Sequence, residues 1–338
     1  MRGRFSIWLG RVVLLAASTT LWFVMAEVGF RFYAIGLKAF SYSATKSVVR
    51  VDQAGLLRPA DEPSIEYELK PNLDKLFKLA RVRTSSAGLN DREYTLEKPP
   101  GTYRVVVLGD SMTMASGVER EESWHAVLDE RLNLESPSLR YEFINFGVGG
   151  YHPGNYRAVL EHRAMGYDPD LVLIGFTPRN DHEFPQFRRR FTPKPERNAF
   201  FSSFIVDVAK NFYMGWREGS LTRRFPPLTE AQARALTSVL AAIKRRCEAA
   251  RIPVVLLYLA RHEDLRLASV QKVTDGLGIE LIDTTPAFRD VPFNDTKIFR
   301  TDGHPNAFAH RLFAETVYDH LGERLEHARP VRAALAPP

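Results

Sequence analysis

Five short apolar runs, separated by segments of helix length, extend from residue 104 to residue 283. The runs are RVVVLG (104–109), YEFINF (141–146), LVLIGF (171–176), VVLLYLA (254–260) and IELID (279–283). They are apolar on both faces of a strand, which is typical of parallel strands covered by helices on both sides. The pattern predicts an α/β fold built on a five-stranded parallel sheet.

Four helices are predicted beside these strands, over residues 121–133, 154–165, about 229–247 and 305–321. The third begins at a capping box, in which Thr229 and Gln232 bond each other's backbone N–H groups. Cys247 lies on the apolar stripe of this helix and is expected to be a core thiol. It is the only cysteine, so the chain has no intramolecular disulfide and no zinc site of Cys/His spacing.

The basic excess of the chain is confined to its first segment. The net charge is +6, and the first 50 residues hold seven basic residues against Glu27 alone. The remainder is neutral overall. The basic excess therefore indicates membrane orientation and not binding to nucleic acid.

Residues 1–40 are predicted to be an N-terminal hydrophobic helix that serves as a signal anchor or a signal peptide. The uncharged run 12–26 would span about 22 Å, less than the ~30 Å hydrocarbon core of a bilayer. Cleavage after Ala26 would release a secreted protein. Alternatively, Arg11 could snorkel and residues 5–30 could anchor the chain in the inner membrane. In both cases the rest of the chain is expected to be exported, to the periplasm or the extracellular space.

The remaining segments differ in composition. Residues 41–100 are polar and rich in turns, and are expected to be an irregular connecting region that carries little chemistry. Residues 101–325 form the predicted α/β domain, and 326–338 a tail. Within the domain, residues 184–225 are a basic and aromatic insertion, interpreted either as a solvated cover or as a lid that contacts an anionic polymer or the membrane surface.

Polar residues directly follow the predicted strands, at the edge of a parallel sheet where ligands bind. They lie in four segments: 109–111, 145–150, 180–181 and 302–306. Together these segments supply a hydroxyl, glycine-rich backbone, an amide, an imidazole and a carboxylate. That set is sufficient for acyl transfer.

Each of these groups has a candidate role. Ser111 would be the nucleophile, His304 the base that takes its proton, and Asp302 the carboxylate that orients the imidazole. The backbone N–H of Ser111, the N–H of Gly150 and the side-chain amide of Asn180 would form the oxyanion hole. Gly147 and Gly149 are alternatives to Gly150 in the same turn. His182 and His310 are expected to be structural.

The four segments resemble the sequence blocks of the SGNH/GDSL hydrolases. The blocks are GDS with Ser111, INFGVGGY with Gly150, GFTPRND with Asn180, and DGHPN with Asp302 and His304. The resemblance extends from about residue 85 to 321, and is greatest to bacterial exported or membrane-anchored members. It implies a three-layer α/β/α, flavodoxin-like fold, with ester hydrolysis or acyl transfer at Ser111 and no metal or organic cofactor.

The sequence departs from the family pattern at two of these blocks. Met112 stands where a leucine is usual, and its side chain is expected to face the core. One residue, Gly303, separates the acid from the base, where the family usually has two. Asp302, Asp295 or a backbone carbonyl could therefore orient His304.

The expected function is that of a serine esterase or acyl-transferring enzyme with a Ser-His-Asp triad. Its expected substrates are ester-linked acyl groups of cell-envelope or extracellular glycans, with a lipid or short-chain ester as the alternative. A different hypothesis, motivated by the short acid-to-base spacing, is a catalytically inactive SGNH-type module that binds glycan or scaffolds an envelope assembly. The motifs select no oligomeric state.

Overall fold

The computed structural model describes residues 2–136, 139–178, 181, 194–198, 200, 202–217 and 225–326. Its helices are α1 (Arg2–Ile35), α2 (Tyr42–Ser47), α3 (Trp124–Glu135), α4 (Pro153–His162), α5 (Phe204–Arg217), α6 (Glu230–Glu248), α7 (Arg266–Leu277) and α8 (Ala307–Glu326). Its strands are β1 (Leu57–Pro59), β2 (Tyr67–Leu69), β3 (Asp74–Phe77), β4 (Ala80–Arg83), β5 (Thr102–Gly109), β6 (Arg140–Asn145), β7 (Leu171–Phe176), β8 (Val254–Tyr258), β9 (Glu280–Asp283), β10 (Lys297–Phe299) and β11 (Asp302–Pro305).

The five predicted strands form one parallel sheet, in the order β6-β5-β7-β8-β9. Strand β5 pairs with β6 on one side and β7 on the other, with Val107 opposite both Asn145 and Leu173. Every residue of β5 and β7 is buried. The predicted parallel sheet is confirmed.

Helices cover both faces of this sheet and complete the three layers. Val105 and Val107 point to one face and pack with residues of α3 and α8. Val106 and Leu108 point to the other face and pack with residues of α4, α6 and α7, because successive side chains of a strand alternate between its faces. The predicted three-layer α/β/α class is therefore confirmed.

Several individual predictions can be compared with these elements. The capping box at Thr229 and Gln232 is present. Cys247 is fully buried, and burial raises the pKa of its thiol to about 12, as expected for a core residue. Met112 is buried in the cluster of α3 and α8.

The helices differ from the prediction at two points. Helix α7 was missed; it begins where the Asp264 carboxylate accepts a hydrogen bond from Arg266 N at 2.8 Å and ends at Gly278 in the left-handed region. The last helix begins at Ala307 and not at Pro305, because Pro305 is still paired in strand β11. The side chain of Asn306 caps this helix by accepting from Ala309 N.

The segment 41–100 is more regular than its composition predicted. It contains two antiparallel pairs, β1–β2 and β3–β4. Leu56, Tyr67 and Phe77 from this segment are buried in the core beside α4. The expectation of irregular packing was wrong, because strands of three or four residues leave too short a pattern to recognise.

Helix α1 is long and apolar enough to cross a membrane, by length and composition alone, a test that a signal sequence also passes. Apolar side chains on every side of it are exposed, including Leu14, Leu15 and Trp22. Its last turn is different, because Ala34 and Ile35 are buried with Ala39 and Phe204. Leu79 and Phe299 pack against this small cluster.

Candidate active site

Ser111 lies in the turn that follows strand β5 at the carboxyl edge of the sheet. The buried carboxylate of Asp110 holds this turn, since its Oδ1 accepts from Met112 N at 2.8 Å and from Thr177 Oγ1 at 3.0 Å. Thr177 follows the neighbouring strand β7. The serine is thereby fixed to two adjacent strands, and its own side chain remains half-buried.

Two glycines allow this turn to pack closely. A Cβ at Gly109 would collide with the Thr113 side chain, and one at Gly147 would stand 2.6 Å from Met114 N. The turn after β5 and the glycine block after β6 thus contact each other through backbone that a side chain would displace.

His304 and Asp302 lie on strand β11, which pairs antiparallel with β10. Alternate residues of a strand point to the same face. With Gly303 between them, the carboxylate and the imidazole therefore project side by side. The short spacing that the family pattern lacks is thus compatible with contact, because these residues are in a strand.

The three candidate catalytic side chains form a continuous set of contacts. The distance from His304 Nε2 to Ser111 Oγ is 2.9 Å, and from His304 Nδ1 to Asp302 Oδ1 it is 2.5 Å. Asp302 Oδ1 also accepts from the backbone N–H of His304 at 3.0 Å. Asp295, the alternative acid, is exposed, and its backbone carbonyl accepts from Asn306.

A lysine from the segment 41–100 completes this arrangement. Lys78 Nζ lies 2.6 Å from Asp302 Oδ2 and 3.0 Å from His304 Nδ1. Burial alone raises the pKa of Asp302, but the Lys78 ammonium and the His304 ring together bring that pKa well below its ordinary value. Asp302 is therefore an anion in the resting site.

Lys78 was missed by sequence reasoning, which expected little chemistry from residues 41–100. The signal available was local: two runs, DKLF and ARVR, flank the pair Lys78-Leu79, a pattern compatible with a two-residue hairpin. Nothing in that pattern places the lysine beside residue 302.

Arg261, after strand β8, is a second missed residue. Its guanidinium donates to Thr296 O at 2.7 Å, to Thr296 Oγ1 at 2.8 Å and to Gly303 O. Burial lowers its pKa to about 10, with the Asp302 charge acting in the opposite direction. The arginine stays charged at neutral pH and fixes the backbone between Asp302 and His304.

The candidate oxyanion donors are only partly described. Gly147 N donates to Asn145 Oδ1 at 2.8 Å, and Gly149 N contacts Met114 Sδ at 3.3 Å. Gly150 has a φ of +89° and is half-buried. Asn180 lies outside the described residues, but the adjacent Asp181 is held by Thr177 N at 2.6 Å.

The other histidines occupy different surroundings. His310 is fully buried in α8, where its Nδ1 accepts from Trp124 N at 3.2 Å. Burial lowers its pKa to about 3, so its ring is neutral. This position fits the structural role expected for it, while His182 lies outside the described residues.

Most of the insertion 184–225 also lies outside the described residues. Of its described basic side chains, Lys194 pairs with Asp52 at 2.9 Å and Arg197 with Asp207 at 3.0 Å. The first pair joins the insertion to the segment 41–100, and the second lies within the insertion itself.

One family of known proteins matches most of the α/β domain. Residues 107–312 match the family described as GDSL-like lipase/acylhydrolase. No curated protein matches the chain.

Solved structures with a similar fold include three esterases. The acetyl xylan esterase AlAXEase is 20% identical, with 64% of this chain and 99% of that chain covered and a TM-score of 0.41. Esterase EstA from Pseudoalteromonas sp. is 17% identical, with 66% and 99% covered and a TM-score of 0.42. A variant of Axe2, an acetyl xylan esterase from Geobacillus stearothermophilus, is 15% identical, with 65% and 94% covered and a TM-score of 0.42.

The family match spans more than half of the chain and includes the segments of Ser111 and His304. It agrees with the resemblance seen in the sequence blocks and with the parallel sheet. The chain therefore belongs to the GDSL-like lipase/acylhydrolase family and is an ester-bond hydrolase.

Proposed function

We propose that the chain is a serine esterase or acyl-transferring enzyme whose triad is Ser111, His304 and Asp302. Ser111 Oγ attacks the ester carbonyl carbon while His304 Nε2 takes the hydroxyl proton. Asp302 accepts the Nδ1–H of the ring and stabilises the imidazolium that forms. The negative oxygen of the tetrahedral intermediate receives hydrogen bonds from Ser111 N, Gly150 N and the Asn180 amide.

Collapse of this intermediate completes the first half-reaction. The imidazolium of His304 returns its proton to the departing alkoxide, and an acyl ester remains on Ser111 Oγ. In the second half-reaction His304 takes a proton from water or from an acceptor hydroxyl, which attacks the acyl carbon. The proton then returns to Ser111 Oγ as the acyl product leaves. Water gives hydrolysis and an acceptor hydroxyl gives transfer.

The observation that carries this proposal is the unbroken contact from Asp302 through His304 to Ser111. Both distances lie within hydrogen-bond reach. This geometry favours the active enzyme over the inactive module, because Asp302 and His304 are in contact although only Gly303 lies between them.

Covalent labelling tests the proposal. The full-length protein in detergent is exposed to a fluorophosphonate, whose fluoride leaves as phosphorus bonds to an activated serine, and is then weighed by intact-mass spectrometry. We expect one adduct on the parent and none on Ser111→Ala or His304→Ala. A folded parent without an adduct would exclude the triad. The full chain is needed because Ala34 and Ile35 pack with Leu79, next to Lys78.

We further propose that helix α1 anchors the enzyme, with the catalytic domain on the exported side of the inner membrane. Its exposed apolar surface supports this placement. The part of α1 beyond the possible cleavage point at Ala26 contacts the start of helix α5. The Glu27 carboxylate accepts from Phe204 N at 2.7 Å, and Arg31 donates to Ser202 O at 2.8 Å. Intact mass of the protein from cell membranes distinguishes the alternatives, because a secreted form would begin near Glu27.

For the substrate, we propose ester-linked acyl groups on cell-envelope or extracellular glycans, in keeping with an exported esterase. The alternative is a lipid or short-chain ester. Parallel assays with acetylated oligosaccharides, phospholipid vesicles and 4-nitrophenyl acetate compare the three classes by kcat/KM. A clear preference for vesicles would replace the glycan proposal, and product analysis with added sugar acceptor separates transfer from hydrolysis.

A further inference from the structure

Lys78 occupies a turn whose backbone favours glycine. It and Leu79 are the two residues between strands β3 and β4, with φ angles of +49° and +71°. Residues other than glycine rarely adopt such positive φ angles, and those that do cluster at functional sites. The surrounding structure therefore has to hold this turn in place.

The hairpin turn is held by helix α2 and by the small apolar cluster at the end of α1. Ser47 O accepts from Lys78 N at 2.9 Å, and Ser47 Oγ accepts from Leu79 N at 3.2 Å. The Leu79 side chain packs beside Ile35 and Phe299. These contacts fix the direction in which the Lys78 side chain leaves the turn, and only 10% of that side chain is exposed.

At its far end, Lys78 engages the oxygen of Asp302 that the histidine leaves unused. Oδ1 faces His304 Nδ1 at 2.5 Å, and Oδ2 faces Lys78 Nζ at 2.6 Å. With both oxygens engaged, the carboxylate cannot turn away from the ring. The ionised carboxylate is the strongest acceptor near Nδ1, so the ring proton lies on that nitrogen and Nε2 is left to accept from Ser111.

We infer that Lys78 is a positioning residue of the triad, which locks Asp302 against His304 and places a positive charge beside the imidazole. The inference rests on the proposed function. An ammonium group 3.0 Å from Nδ1 disfavours a second proton on the ring.

The charges around the imidazole leave this role to Lys78. Asp302 is on the same strand, Arg261 binds the intervening Gly303 carbonyl, and His310 lies behind on α8 beside His125 of α3. Burial lowers the pKa of both of these histidines to about 3, so they are neutral. Of these groups, Lys78 alone is a cation within hydrogen-bond distance of the ring.

The test is the pH profile of fluorophosphonate inactivation for full-length Lys78→Met, Lys78→Arg and Lys75→Met in detergent. Lys75 is the matched control, because it lies on the same strand β3 but pairs with Glu196 at 2.7 Å. This readout needs Ser111 and His304 but no identified ester substrate.

For Lys78→Met we expect the acidic limb of the profile to move up by about one pH unit, because a positive charge beside the ring has been removed. We expect the plateau rate to fall about tenfold, because Asp302 is no longer locked. Lys78→Arg should keep the limb near its original pH, and Lys75→Met should match the parent.

A purely structural lysine would give a different result. If Lys78→Met lowers the rate equally at every pH, or leaves it unchanged, the inference is overturned. If that variant does not fold, Lys78→Arg decides: a shifted limb despite the retained charge would also overturn it. An unlabelled parent would refute the proposed function itself, which separates that failure from failure of the Lys78 inference.

Discussion

The two ends of the central sheet both hold buried ionic groups, but these groups are arranged differently. At the amino end, Arg104 on β5 is fully buried and its Nε bonds Glu142 of β6 at 2.7 Å. Asp170, just before β7, accepts from Arg104 N at 2.8 Å and from Lys98 Nζ at 2.7 Å. We name these four residues the amino-end cluster.

At the carboxyl end, the contacts form a linear series that ends at Ser111. Lys78 bonds Asp302, Asp302 bonds His304, and His304 reaches the half-buried hydroxyl of Ser111. We name these four residues the carboxyl-end cluster. The amino-end charges satisfy one another inside the protein, whereas the carboxyl-end series ends at the half-buried hydroxyl of Ser111. The amino-end cluster therefore serves the stability of the fold, and the carboxyl-end cluster contains the groups of the proposed triad.

The largest effect is expected from Ser111→Ala. Removing the nucleophile should lower turnover of 4-nitrophenyl acetate by about 10⁴- to 10⁶-fold. The thermal midpoint should stay close to that of the parent, since no bond inside the amino-end cluster is touched. A variant that keeps appreciable turnover, or that unfolds early, would contradict the division of roles between the two clusters.

Arg104→Met is expected to have the converse effect. It leaves Glu142 buried without its strong partner, and breaking a buried pair in this way costs about 3–5 kcal/mol of unfolding free energy. Guanidinium denaturation measures that loss. Under conditions where the variant is still folded, fluorophosphonate should label Ser111 as in the parent; lost labelling would show that the two ends are coupled.

The sequence predicted the sheet because the signals of its strands are local. Apolar runs mark the strands, and the carboxyl ends of parallel strands share an edge, which predicted that Ser111 lies at that edge. His304 and Asp302 depended on the family blocks. The doubt about their spacing arose because strand β11, only four residues long, carries no periodic pattern.

Lys78 could not be found in this way, because its role depends on contact with residues more than 200 positions away. Short hairpins such as β3–β4 give too few residues for periodicity to emerge. Helix α7 was missed for a related reason, since its 12 residues carry only a few buried apolar positions. Long-range packing, which no local pattern encodes, decides both.

A smaller effect, on the pH dependence of stability, is expected from His310, which lies behind the carboxyl-end cluster. Burial lowers the pKa of His310 to about 3 in the folded protein, below its ordinary value near 6.5. As pH falls from about 6.5 to 3, the unfolded chain gains a proton that the folded one does not, so stability falls with pH. The loss is at most about 1.4 kcal/mol per pH unit from this residue.

His310→Asn should remove that contribution. We expect urea denaturation at a series of pH values to give a shallower decline below about pH 6.5 for the variant than for the parent. An equal slope in the two proteins would mean that His310 is protonated in the folded state, in conflict with its burial.

The smallest effect on stability is expected from Arg140→Ala. This variant compares an exposed arginine with the buried Arg104 of the amino-end cluster. Arg140 Nε lies 3.8 Å from Glu142, the same carboxylate that Arg104 binds, but 64% of its side chain is exposed. Exposed pairs contribute less than about 1 kcal/mol, because water and salt screen them. Guanidinium denaturation should therefore separate the two arginines clearly. Equal losses for Arg104→Met and Arg140→Ala would show that burial is not what makes the amino-end pairs stabilising.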